Sequence, residues 1–145
     1  MGLEWEKRAK DIILEAQKIS CNDHAKKGIG KAFLIAALNL SLPVNQTTLY
    51  HYPAFYNMHH ALELLVKGVF LITNKSHKIY FLLDSNQNVV NNFFTNKELE
   101  DLRFSDGLNS NVGQLRYFTG SHKQFDWDVF LRLGDICLRL LKKRV

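Results

Sequence analysis

Residues 59–67, His-His-Ala-Leu-Glu-Leu-Leu-Val-Lys, constrain this chain more than any other stretch. On a helix His59, Glu63 and Lys67 follow one another at i, i+4 and i+8, forming a single polar ridge. Leu62, Leu65, Val66 and Val69 supply the apolar face beside it. An acid and a base set into so apolar a helix cost burial energy unless they pair with each other or with a neighbour. The segment therefore predicts that Glu63 and Lys67 are at least partly buried and paired. A second cation is expected from residues 115–122, with Arg116 the favoured partner of Glu63.

The rest of the composition suits one soluble domain. In 145 residues, 46% hydrophobic and 23% charged is the balance of a globular chain rather than a disordered one. With only 8 Gly and 2 Pro, an all-β architecture built on many turns is disfavoured. Cys21 and Cys137 lack a CxxC spacing and read as two reduced thiols. The first residues carry charge at once and no apolar run of a signal peptide, and the apolar stretches at 32–42 and 61–72 are too short or interrupted to span a bilayer. No membrane association and a cytoplasmic location are the expectation. Of the net charge of +5, residues 115–145 contribute seven Lys/Arg against three Asp. That excess is compatible with a phosphate-bearing partner, and equally with cations complementing a helix C-terminus. The Lys142-Lys143-Arg144 run reads as a solvated helix end.

Helical periodicity recurs along the chain. Trp5, Ala9, Ile12, Ala16 and Ile19 step by four and three, and Ala25, Ile29, Ala36 and Leu40 continue the pattern in a second helix after a break at residues 20–23. Gly28 and Gly30 weaken that helix by about 1 kcal/mol each and mark either a close helix contact or a bend. A third helix is expected from about Tyr52, with Pro53 in its first turn, to about Thr73. Ser76 is the candidate cap of a short fourth helix over residues 77–83. Residues 84–88 read as a polar turn. Thr95-Asn96-Lys97-Glu98 has the form of a capping box opening another short helix. Residues 105–113 are the loosest stretch and the best candidate for a mobile loop. Ser121-His122-Lys123-Gln124 is a second capping-box pattern, which would put His122 in the first turn of the last helix, running to about Lys142. The resulting expectation is all-α: one domain over residues 1–145, an up-down bundle of four to six helices. An N-terminal helix occupies residues 1–22 and the bundle core 25–143, packed mainly between the second, third and last helices.

A long all-α chain with His59-Ala61-Leu62-Glu63-Leu64-Leu65-Lys67 in its middle helix resembles the HEPN family (higher eukaryotes and prokaryotes nucleotide-binding domains). The ordered supporting pieces are residues 31–37 as a first long helix, His77 opening a short helix after the central one, and Leu115-Arg116-Tyr117 ahead of the last helix. The resemblance spans roughly residues 25–143. It implies a short four- or five-helix bundle. In many members it also implies a metal-independent ribonuclease using Arg-x(4–6)-His, often as a composite site across a dimer. Arg116 and His122 are separated by five residues, within that range, while Tyr117 stands where active members usually carry a small polar residue.

Such cleavage needs a base near neutral pKa and a fixed positive charge on the developing phosphorane oxygens. His122 at a helix start would be kept neutral by the positive dipole end, and Arg116 can hold a phosphate bidentately. Elsewhere the chemistry is thin. His51, His59 and His60 have no carboxylate or Cys at a ligand spacing, so no metal or other cofactor is called for. Asp126 reads as dipole stabilisation of the last helix. The reading carried forward is a small HEPN-like domain that binds nucleotide, RNA or a partner protein, in a defence or toxin–antitoxin setting, as a homodimer. The alternatives are the ribonuclease built on Arg116 and His122 and a purely structural helical interaction module.

Overall fold

The computed structural model describes residues 3–42, 51–84, 92–110 and 126–143. Among them lie six helices and no strand: α1 (Leu3–Lys18), α2 (Lys26–Ser41), α3 (His51–Val69), α4 (Ile79–Asp84), α5 (Asn96–Ser110) and α6 (Trp127–Lys142). The all-α bundle expected from periodicity is what forms.

Cross-helix contacts set the directions. Ascending α2 from Lys27 to Gly30, the facing positions on α3 descend from Gly68 to Leu65, so the two are antiparallel. Glu98 meets Arg139 and Asp101 meets Arg132, so α5 runs against α6. Trp5 packs on Phe130 and Ile12 on Gly134, so α1 and α6 run together. The long helices thus alternate up and down in chain order, with short α4 inserted between α3 and α5.

The α2–α3 pair is the most extensive, and its glycines explain why. A Cβ on Gly30 would sit 2.8 Å from Leu65 Cγ and one on Gly68 3.1 Å from the Lys27 amide nitrogen, while one on Gly28 would fall 2.1 Å from the Asn22 carbonyl oxygen in the turn before α2. These glycines permit a close approach rather than a bend. Phe55, Met58, Leu62 and Leu65 of α3 are buried with Leu34 and Leu38 of α2 and with Phe130, Leu133 and Cys137 of α6. The N-terminal helix shares this core through Trp5, Ala9, Ile12 and Ala16, and Trp5 Nε1 donates to the Trp127 carbonyl (3.2 Å).

Several local expectations change. Helix α3 stops at Val69, short of Thr73, because Leu71 adopts the left-handed conformation (φ 55°) and the Ile72 amide donates back to the Lys67 carbonyl (2.9 Å). No glycine marks that stop in the sequence. Helix α4 starts at Ile79, and Ser76 Oγ accepts only from the Lys78 amide (3.1 Å). The Thr95 box forms as read, with Thr95 Oγ1 accepting from the Glu98 amide (3.1 Å) and Glu98 Oε1 from the Thr95 amide (2.8 Å). Its helix is longer than expected: residues 105–110, read as loop, are the last turns of α5. Residues 111–113 lie outside the described residues. Helix α6 opens at Trp127, with Asp126 accepting from the Asp128 and Val129 amides as its N-cap, so the first turn of the last helix does not begin at residue 122. The 121–124 pattern lies outside the described residues, as do residues 85–88.

Candidate functional site: a buried polar ridge that surfaces at His77

One helical turn separates His59 from Glu63 and Glu63 from Lys67, and all three are buried at 2%, 5% and 7% relative exposure. Lys67 Nζ donates to Glu63 Oε2 (3.1 Å). The second partner of Glu63 is His77, whose Nδ1 lies 3.1 and 3.2 Å from the two carboxylate oxygens. Arg116, Tyr117 and His122 lie outside the described residues, and with them the expected Arg116–Glu63 contact and the Arg116–His122 pair.

His59 is held from both ring nitrogens. Its Nε2 is 2.9 Å from the His77 carbonyl oxygen, which can only accept, so Nε2 carries the proton. Burial lowers the pKa of His59 below its ordinary 6.5, against the opposing pull of the His77 carbonyl and of Asp106 and Glu63. The ring is therefore neutral, and Nδ1 accepts from the Ser105 hydroxyl at 2.9 Å. The Asp106 carboxylate stands 3.9 Å from Nε2. It caps α4 from a different helix, accepting the Ile79 amide at Oδ1 (2.8 Å) and the Tyr80 amide at Oδ2 (2.7 Å). Burial raises the Asp106 pKa, and the two amides and His59 oppose that shift.

His59 and Glu63 together fasten the segment after α3: one takes the backbone of His77, the other its ring. The His77 side chain remains 66% exposed. Since a carboxylate only accepts, Nδ1 of His77 donates to Glu63, which leaves Nε2 of a neutral ring as the proton acceptor on an exposed face. An imidazole oriented by a carboxylate in this way is the arrangement of a general base. Ser105 and Asp106 were missed in the sequence because they sit in a Ser-Asp-Gly run that reads as loop. Only the fold brings them to His59 and α4, 46 and 26 residues away in sequence.

The other histidines are dispersed. His60 packs edge-on to Phe33 (4.4 Å between centroids) and stacks near Tyr56 (6.0 Å), while His51 packs against Trp127 (5.0 Å). Among the described residues no three His, Cys, Asp or Glu side chains form a metal-holding group. Part of the C-terminal basic excess is consumed inside the fold. Arg132 makes a two-pronged pair with Asp101 (2.9 and 3.1 Å), and Arg139 pairs with Glu98 and the Phe93 carbonyl. Among the described residues no helix is long and apolar enough to cross a membrane.

Beyond Lys67 the ridge meets a cavity of about 550 Å³ between the α1–α2 turn and the end of α3. Comparison with known protein families, with curated proteins and with solved structures finds no match for this chain.

Proposed function

We propose that this chain is a HEPN-like helical domain that binds RNA or a free nucleotide, acting as a homodimer in the cytoplasm and in a defence or toxin–antitoxin setting. The observation that supports binding is the ridge itself. A Glu–Lys pair buried at 5% and 7% exposure contributes little net stability compared with apolar side chains of the same size, since desolvation offsets much of the Coulombic gain. The buried acid instead holds an exposed imidazole and the segment that carries it. Such an organised polar edge, in a chain of net charge +5, suits a polyanionic partner.

A second reading, metal-independent RNA cleavage, is favoured by the Glu63–His77 pair, which supplies an oriented base other than His122. Fluorescence anisotropy with a labelled mixed single-stranded RNA at 50 and 200 mM salt tests binding. Saturable binding that weakens with salt, and weakens further in His77→Ala, is expected. No binding at tens of micromolar protein in low salt would overturn the reading. Incubation with RNA in EDTA separates the two readings: cleavage leaving a 2′,3′-cyclic phosphate, lost in His77→Ala or in Arg116→Ala and His122→Ala, establishes the enzyme.

A further inference from the structure

The His77 imidazole is held by more contacts than an exposed side chain needs. Its carbonyl oxygen accepts from His59 Nε2 (2.9 Å). The backbone around it is tied by Asn74 Oδ1, which accepts from the Ser76 amide (2.8 Å), and by Ser76 Oγ, which accepts from the Lys78 amide (3.1 Å). The ring donates from Nδ1 to a carboxylate only 5% exposed, yet remains 66% exposed itself. His24 is also exposed, and among the described residues no carboxylate holds its ring.

A neutral imidazole with an acceptor at Nδ1 keeps its lone pair on Nε2. When Nε2 forms a new bond the ring becomes an imidazolium. Its Nδ1–H bond to Glu63 then joins two ions and strengthens. The acid therefore favours attack by Nε2 as well as fixing its direction. A bare carboxylate would repel an anionic electrophile, but Glu63 is already neutralised by Lys67 at 3.1 Å. Asp106 accepts the Ile79 and Tyr80 amides. Lys75 and Lys78, both exposed, flank His77 in the chain. Lys67, Lys75 and Lys78 thus stand against Glu63 and Asp106 at this edge, and the extra cation suits a phosphoryl group.

We propose that His77 is a phosphoryl acceptor, taking the group on Nε2 from a phosphoramidate donor. The Nε2 lone pair attacks phosphorus and a new N–P bond forms. The donor's own P–N bond breaks with its electron pair on the departing nitrogen, which is already protonated and leaves as a neutral base. The Nδ1 proton stays shared with Glu63 while the ring is cationic and passes to solvent as the neutral phosphoimidazole forms. Positioning and charge are what such a transfer asks of a protein, and both are present here. The lone pair proposed above as a base acts here as a nucleophile, and the step does not depend on RNA binding.

The test is incubation of the folded full chain with potassium phosphoramidate at neutral pH, followed by peptide mass spectrometry of each histidine under alkaline handling. His77 should be labelled about tenfold faster than His24, the rate equivalent of one charge-assisted hydrogen bond gained. Phosphorus NMR should place the group on Nε2. The label should be lost in acid and survive alkali, which separates it from a phosphate ester on Ser76. In Glu63→Gln/Lys67→Met, which keeps an acceptor for Nδ1 but no charge, the His77 rate should fall to that of His24. Circular dichroism checks the fold of that variant. Lys75→Glu/Lys78→Glu, at exposed positions, should slow His77 severalfold and leave His24 unchanged, and it repeats the test should the first variant not fold.

Diethyl pyrocarbonate, an uncharged acylating reagent, separates a phosphoryl site from an imidazole that is only exposed. Its preference for His77 over His24 should fall well short of that of phosphoramidate, because Lys75 and Lys78 attract the anion alone. Equal preferences for the two reagents, labelling of His77 no faster than His24, or a group on Nδ1 overturns the site. Undiminished labelling of His77 in both charge variants does the same. RNA binding by a protein whose His77 takes no phosphoryl group overturns this inference and leaves the binding reading standing.

Discussion

Removing the Glu63 carboxylate and removing the Lys67 ammonium should have unequal consequences. Glu63→Gln keeps the shape of the side chain but takes the counter-charge from Lys67, 7% exposed, and leaves one acceptor oxygen for Lys67 and His77 to share. An uncompensated ammonium buried to that degree costs about 3–5 kcal/mol. Lys67→Met leaves Glu63 buried at 5% exposure but still accepting from His77 Nδ1. Its cost should be smaller, about 1–3 kcal/mol, within the range for a buried polar group left partly satisfied.

In the double variant Glu63→Gln/Lys67→Met no charge is left stranded, so its cost should fall at least about 1 kcal/mol short of the sum of the singles. Urea denaturation at pH 7, followed by circular dichroism, measures all four corners of the cycle. Single variants costing under 0.5 kcal/mol each, or a strictly additive cycle, would refute the argument that the ridge is a buried, mutually compensated unit.

Other expectations can be checked on the same instrument. Gly30→Ala should cost about 1–3 kcal/mol in urea, since its Cβ would lie 2.8 Å from Leu65 Cγ and the α2–α3 contact must open; a neutral result would mean that Leu65 has another rotamer to use. Asp106→Ala strips the acceptor from two α4 amides and should cost about 1–2 kcal/mol, with hydrogen exchange fastest at Ile79 and Tyr80. The His59 pKa is lowered in the fold, so its contribution is complete above the unfolded value of 6.5 and is lost as the pH falls from there through the folded value. The slope is at most about 1.4 kcal/mol per pH unit. The raised pKa of Asp106 acts with the opposite sign above 3.8, so the readout is the difference between wild type and His59→Gln, whose amide can keep both hydrogen bonds; superimposable melting-temperature profiles would sink this assignment.

What could be read from residue order and what could not divide along a physical line. The helix stripes, the polar ridge and the Thr95 box are all local, because the groups that satisfy one another lie within one or two turns of the chain. The pairing of Glu63 with Lys67 belongs to this class. The identity of Glu63's second partner does not. A carboxylate on an apolar face announces that it needs another cation, but not whether an Arg or a His will reach it. His77 reaches it because α3 stops early, at a left-handed Leu71, and the chain turns back along its own helix.

The same early stop shapes the cavity and brings the His77 carbonyl to His59. It had no sequence mark, since glycine is the residue that usually signals such a cap. Asp106 fails the local test for the opposite reason. Ser, Asp and Gly in succession favour a turn, yet here burial of Leu102, Ser105 and Leu108 carries the helix through them, and the Asp is spent capping α4 rather than breaking α5. Tertiary packing overrode a weak propensity at the position where the ridge needed support from a second helix. The groups that make this site specific are accordingly those whose partners lie farthest away in sequence.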